Sequence, residues 1–245
     1  MPCLFRALRF WARRAPRVAA LRLAGIDPRM SDATTPAPAA PAEARSVTPA
    51  RAAKVRAALD NRVGTVVAVV ESVRRRHNAS ALVRSCEAFG IHEVHLITGF
   101  FKPSTGASRA AERWVKVRVF PNVSDSIDEL HARGFKVYVA DLVDGAYTPE
   151  TLPVDTPVAV LFGSEVRGVS AEASAKADGA VMIPMRGLTE SLNVSVSGAI
   201  LLRAAADRRR AVVGNDLDAA EKSRFFEEWI GREESGRRGL VARAG

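Results

Sequence analysis

Arg84 lies among the apolar residues Leu82, Val83 and Cys86 in the stretch HNASALVRSCEAFG, residues 77–90. A guanidinium rising from such a setting needs a carboxylate or phosphate partner. It can serve a structural salt bridge on the rim of a helix, or it can meet an anionic substrate. Asn78 and Ser80 suit a helix N-cap, and an isolated Asn reads first as that. A second cluster, LFGSEVRGVS (161–170), sets a charged loop between Gly163 and Gly168, directly after an apolar run. Glycines there permit tight turns and close approach of backbone to a ligand. Glu165 in this loop can pair with Arg84, accept from a ligand or stay solvated. The spacing is not that of GxGxxG, and no GK[ST] follows. A third cluster, IPMRGLTESLNVSVSGAILL (183–202), places Ser191, Asn193, Ser195 and Ser197 at the start of an apolar helix. One cap is enough for a helix. The surplus of small polar groups points to a tight turn, a close-packed backbone or a flat ligand.

The elements that must hold these clusters alternate between strand and helix. Apolar, β-branched runs predict strands at 65–73, 93–99, 114–120, 135–142, 157–163 and 179–185. Helices are predicted at 51–62, 78–90, 124–134, 191–209 and 221–234, the third capped by Ser124 and closed by Gly134. The loop 143–156 carries Pro149 and Pro153, and the tail after residue 234 reads as loose. Such alternation predicts an α/β fold with a mostly parallel sheet and helices on both faces. Ligands of such sheets sit beyond the C-terminal strand ends. That rule points to the residues just after Gly99, Gly163 and Met185.

Bulk properties narrow the function classes. Across 245 residues the formal net charge is +9, carried far more by Arg than by Lys. This favours a nucleic-acid partner. Aromatic residues are 6%, too few for a platform of many stacking rings. The cysteines, Cys3 and Cys86, fit neither a disulfide scaffold nor a zinc site, and no thiolate or carboxylate set completes one around His92 and His95. No metal is expected. No apolar run reaches 18 residues, so no membrane span is expected either, and a cytoplasmic location follows. Residues 1–26 carry several arginines and no acid. They read as an amphipathic presequence, a basic arm or an over-long start before Met30. Residues 31–50 are rich in Pro, Ala, Ser and Thr and read as a linker. Residues 1–50 therefore form an extension, 51–210 the main domain with a short leading helix, and 211–245 a helical C-terminal extension.

The three clusters, in order, resemble the motifs of the SpoU (TrmH) family of RNA ribose 2′-O-methyltransferases in the SPOUT superfamily. The match is carried by H-N-x-S-A-x-x-R-x-C-x-x-x-G, L-x-F-G-x-E-x-x-G-V-S and I-P-M-x-G-x-x-E-S-L-N-V-S-V. The resemblance implies a C-terminal deep trefoil knot, an exception to the usual rule against knotted chains. It implies S-adenosylmethionine as cofactor and a homodimer with the active site near the subunit interface. It makes Arg84 the catalytic arginine, as general base or as a group that orients the hydroxyl and steadies charge. Asn78 would hold that arginine or the substrate. Glu165, Ser191 and Asn193 match the remaining motif positions. Leu161, Gly163, Glu165, Gly168, Ile183, Met185, Ser191, Leu192 and Asn193 would line the cofactor. The basic helix in front and the helix behind resemble the branch that methylates guanosine 18 in the tRNA D-loop. An rRNA methyltransferase of the same family, or an RNA-binding relative without catalysis, is the alternative.

Overall fold

The computed structural model describes residues 46–71, 76–98, 111–164, 167–235 and 242–243. Its centre is a sheet of seven strands, all paired in parallel, in the order β6-β4-β5-β1-β2-β3-β7. The strands are β1 (Val63–Glu71), β2 (Ile91–Ile97), β3 (Lys116–Phe120), β4 (Lys136–Ala140), β5 (Val158–Phe162), β6 (Gly179–Val181) and β7 (Ala242–Arg243). The helices are α1 (Pro49–Asp60), α2 (Arg76–Ala88), α3 (Val123–Ala132), α4 (Ala171–Lys176), α5 (Val194–Val213) and α6 (Ala219–Glu234). A short 3-10 turn, Ala111–Arg113, precedes β3.

The period of two along the central strands splits the core. Val66, Ala68 and Val70 of β1, with Val160 and Phe162 of β5, pack against α2 and α5. Val67, Val69, Ala159 and Leu161 point the other way, toward Val123, Ile127 and Leu130 of α3 and Ala173 of α4. Burial on both faces is why these runs are continuously apolar. A third cluster joins helices α1 and α6: Val55 and Leu59 of α1 meet Leu217 and the α6 residues Phe225 and Trp229. Arg51 ties α1 to Glu233 of α6 with two hydrogen bonds.

Several predicted boundaries move, each for a local reason. Helix α2 begins at Arg76, so Asn78 sits inside its first turn and is not its N-cap. Asn122, not Ser124, caps α3, accepting from the Asp125 amide at 2.8 Å. Strand β6 stops at Val181, because residues 182–185 leave the sheet. Within the tail read as loose, residues 242–243 pair with β3. Among the described residues no helix is long and apolar enough to cross a membrane. Arg74, Arg75, the turn 102–108 and the N-terminal extension up to residue 45 lie outside the described residues.

Candidate active site

The C-terminal ends of β4, β5 and β6 open into one cleft of about 550 Å³. Strand β4 contributes Ala140, Asp141 and Leu142, and β5 contributes Phe162 followed by Gly163, Ser164 and Gly168. The chain leaving β6 contributes Met182, Ile183 and Met185. Glu190–Val194 and the first turns of α5 close the remaining side with Ser197 and Leu201. The sheet therefore delivers three loops to one place, as the strand-end rule requires.

Backbone packing shapes the second loop. Ser164 and Gly168 exchange two backbone hydrogen bonds, at 2.8 and 2.9 Å. Gly168 has φ +68°, a left-handed conformation that costs other residues free energy. Gly163 lies against the backbone of Gly168 and Val169, closer than any Cβ atom could approach. The loop folds back on itself only because both positions lack side chains.

The polar start of α5 divides into used and free groups. Asn193 is the N-cap: its Oδ1 accepts from the Ser195 amide at 2.9 Å and from the Ser195 hydroxyl at 2.6 Å. Ser197 donates to the Asn193 carbonyl at 3.0 Å. Ser191 is exposed on the cleft wall with no hydrogen bond to a described residue. Met182 donates from its amide to the Tyr147 carbonyl at 2.8 Å, which pins the chain where it leaves the sheet. The next amides on the wall, those of Ile183 and Met185, donate to no described backbone carbonyl.

Of the expected cofactor positions, Gly163, Gly168, Ile183, Met185, Ser191, Leu192 and Asn193 line the cleft. Leu161 does not: it is 0% exposed and packs under α3 and α4 on the opposite face. Glu165 lies outside the described residues. Arg84 is exposed on α2, its side chain makes no ion pair or hydrogen bond to another described residue, and it is not on the cleft wall. Asn78 is half-buried on the same helix, also away from the wall. Asp141, Leu142, Ser164 and Glu190 are cleft residues that sequence reading missed. The end of β4 was the available signal, since it opens on the same edge of the sheet as β5.

Much of the positive charge is consumed by the fold. Arg208 donates to the carbonyls of Pro149 and Leu152. Arg209, buried, donates to those of Val154 and Asp155, and Arg210 reaches the Phe89 carbonyl at 2.7 Å. Arg62 is buried between the Ile91 carbonyl and Glu87. These guanidiniums close helix and loop ends within the fold. Similarly, Glu93 and His95 form a buried network. His95 bonds Glu93 and Ser126, each at 2.8 Å, while Lys116 and Arg133 bond Glu93. Burial alone would raise the Glu93 carboxyl, but the His95 and Arg133 hydrogen bonds and the Lys116 and Arg133 charges hold it well below the usual range. The ligand atoms of Glu93, His95 and Glu129 lie within 4.8 Å of one another. The cations already occupy them, and Arg118 pairs with both carboxylates.

Residues 65–203 match the SpoU rRNA methylase family. The chain is 39% identical over 192 residues to the tRNA (guanosine(18)-2′-O)-methyltransferase of Thermus thermophilus, covering 76% of this chain and 98% of that one. It is 34% identical over 164 residues to the enzyme of the same name from Escherichia coli, covering 66% and 72%. The crystal structure of the A. aeolicus TrmH/SpoU tRNA modifying enzyme matches with a TM-score of 0.69 at 27% identity, over 75% of this chain and 96% of that one. The SpoU methyltransferase AviRb of Streptomyces viridochromogenes shares the fold, with a TM-score of 0.53 at 22% identity over 58% and 57%. A parallel sheet flanked by helices is the framework that these enzymes thread as a trefoil knot. The chain belongs to the SpoU (TrmH) family of RNA methyltransferases in the SPOUT superfamily.

Proposed function

We propose that the protein transfers a methyl group from S-adenosylmethionine to the 2′-oxygen of a ribose in tRNA, at guanosine 18 of the D-loop. The carrying observation is the cleft itself, which gathers the second and third motif segments at the ends of β5 and β6. The Thermus relative, matched over 98% of its length, supports the substrate. The pairing of α1 with α6 also fits a tRNA enzyme with short terminal helices.

The cleft suits the cofactor. Its volume is that of a small-molecule site. Gly168 has nothing within 4 Å of where a Cβ would lie, which leaves room for a flat ring, and the Ile183 and Met185 amides are free to bond one. Leu192 and Leu201 supply apolar wall. When bound, S-adenosylmethionine supplies an electrophilic methyl carbon on a sulfonium sulfur. The chain's task is to hold a ribose hydroxyl in line with that carbon, and alignment of this kind can lower a barrier substantially. Ser191 and the Asn193 amide nitrogen are among the wall's polar groups free to position the reactants. Glu165 completes the second motif.

Arg84 orients the 2′-hydroxyl and offsets the negative charge that develops on its oxygen as the proton leaves. Arg84 stands off the cofactor cleft of its own chain, which supports a reading in which a second copy brings it to the ribose. Exposed Val196 (46%) and Ile200 (41%), four apart on α5, together with Leu192 just before the helix, make the apolar face for such a homodimer.

The test is transfer of labelled methyl from S-adenosylmethionine to tRNA and rRNA, with the modified position mapped by resistance to alkaline cleavage. Label at position 18 of tRNA is expected. Label confined to rRNA would overturn the substrate, and no label on either RNA would overturn the reaction.

A further inference from the structure

Asp141 and Glu190 are the ionisable side chains among the described residues of the cleft wall, and both are acids. No cation answers them there. Arg167 is exposed in the Ser164–Gly168 loop, and Arg186 lines a neighbouring depression with Phe89 and Ile200. Asp141 is the better placed of the two acids. It is half-buried directly after β4, and its amide donates to the Val181 carbonyl at 3.2 Å. Its Oδ1 accepts from the Leu142 amide at 2.9 Å. The carboxylate is thus held in place by local backbone, while Oδ2 has no bond to a described residue. Glu190 is exposed and more strongly screened by solvent.

A cavity of about 550 Å³ is about 10 Å across, no more than a Debye length at ~0.1 M salt. A fixed carboxylate on its wall is therefore felt throughout the cavity. We infer that Asp141, seconded by Glu190, makes this cleft selective for the cationic form of the cofactor over the neutral product. The inference rests on the methyl-transfer reading above. S-adenosylmethionine carries a sulfonium, an ammonium and a carboxylate, net +1. Loss of the methyl group to the ribose oxygen leaves S-adenosylhomocysteine, whose thioether is neutral, net zero. Adenine, ribose, ammonium and carboxylate are common to both, so contacts to those groups cannot separate them. The sulfonium charge can. Asp141 is then a specificity-determining residue that favours loading of the reactive cofactor and speeds release of the spent one.

The experiment is calorimetric titration of the full chain and its Asp141→Asn variant with each molecule, in the absence of RNA. Asparagine keeps the shape and the acceptor for the Leu142 amide. The expected result is about tenfold weaker binding of S-adenosylmethionine, with S-adenosylhomocysteine changed less than about threefold. Glu190→Gln should show the same preference at smaller size, and added salt should narrow the wild-type ratio. Equal losses for both molecules would overturn the inference, because Asp141 would then be reading a shared group. Unchanged binding of both would overturn it as well. Failure of the wild-type chain to bind either molecule would instead overturn the proposed function, and this inference with it.

Discussion

Gly198 of α5 is pressed against Leu82 of α2 so closely that a Cβ at position 198 would lie 2.6 Å from Leu82 Cδ1. The helix carrying Arg84 and the helix that walls the cleft are therefore set against each other through a missing side chain. Leu82 is buried and has little room to yield. Gly198→Val should destabilise the fold by about 1–3 kcal/mol through overpacking. Thermal unfolding would show this as a lower Tm. Leu82→Ala in the same chain should recover part of the loss, a coupling that a double-mutant cycle measures.

Gly163 has a different constraint, since its neighbours are backbone atoms of Gly168 and Val169 that no rotamer change can move. Gly163→Ala should open the second loop and reduce affinity for S-adenosylmethionine by about tenfold or more, while the rest of the sheet stays folded. Titration of cofactor binding beside a circular-dichroism melt separates the two effects. Unchanged affinity would show that the loop does not touch the ligand.

Arg84 has no described structural partner, so Arg84→Ala should leave Tm and cofactor affinity unchanged. Its methyl-transfer rate should fall by about a hundredfold or more, as for loss of a charge-stabilising group. If Arg84 works on the cleft of a second copy, mixing Arg84→Ala with the cleft variant Asn193→Ala should restore activity. Random pairing in a twofold dimer would give roughly a quarter of wild-type sites. No recovery on mixing would place Arg84 with its own cleft. Charged substitutions at Val196 and Ile200 should lower the sedimentation coefficient if that stripe is the dimer contact.

His92 is buried against Phe225, with ring centroids 4.0 Å apart, and neither ring nitrogen has a hydrogen-bond partner. Burial, and next the charge of Arg62, push its pKa down to about 3. The unfolded chain takes up this proton near pH ~6.5, whereas the folded chain refuses it. Stability from His92 is therefore full above about pH 6.5 and is lost as pH falls toward 3, by up to ~1.4 kcal/mol per pH unit. The buried His95, also lowered chiefly by burial, acts in the same direction, and Glu93 adds its loss at lower pH. His92→Leu should shift the acid-unfolding midpoint, followed by circular dichroism, to lower pH. A midpoint that stays in place would assign the acid sensitivity to the Glu93 network.

The sequence by itself determined the parallel α/β framework, because two-faced burial of β1 and β5 leaves the unbroken runs Val66–Val70 and Val158–Phe162. It also carried the motif loops, since Gly163, Gly168 and Asn193 are answers to local backbone demands. Only the tertiary structure decided what the isolated patterns leave open. Strand β7 is too short to have a period. Strand β6 ends at Val181 because the chain is taken up by Tyr147 and the cleft. The arginine-rich net charge favours a nucleic-acid partner, yet Arg209 of α5 is spent on carbonyls more than fifty positions away. Asp141 looked like an ordinary strand end, and Leu161 like a cofactor contact, until the pleat placed one on the cleft and the other beneath α3. Periodicity reports which face of an element is buried. It does not report which distant carbonyl, loop or second chain that face will meet, because those partners are chosen by the packing of the whole chain.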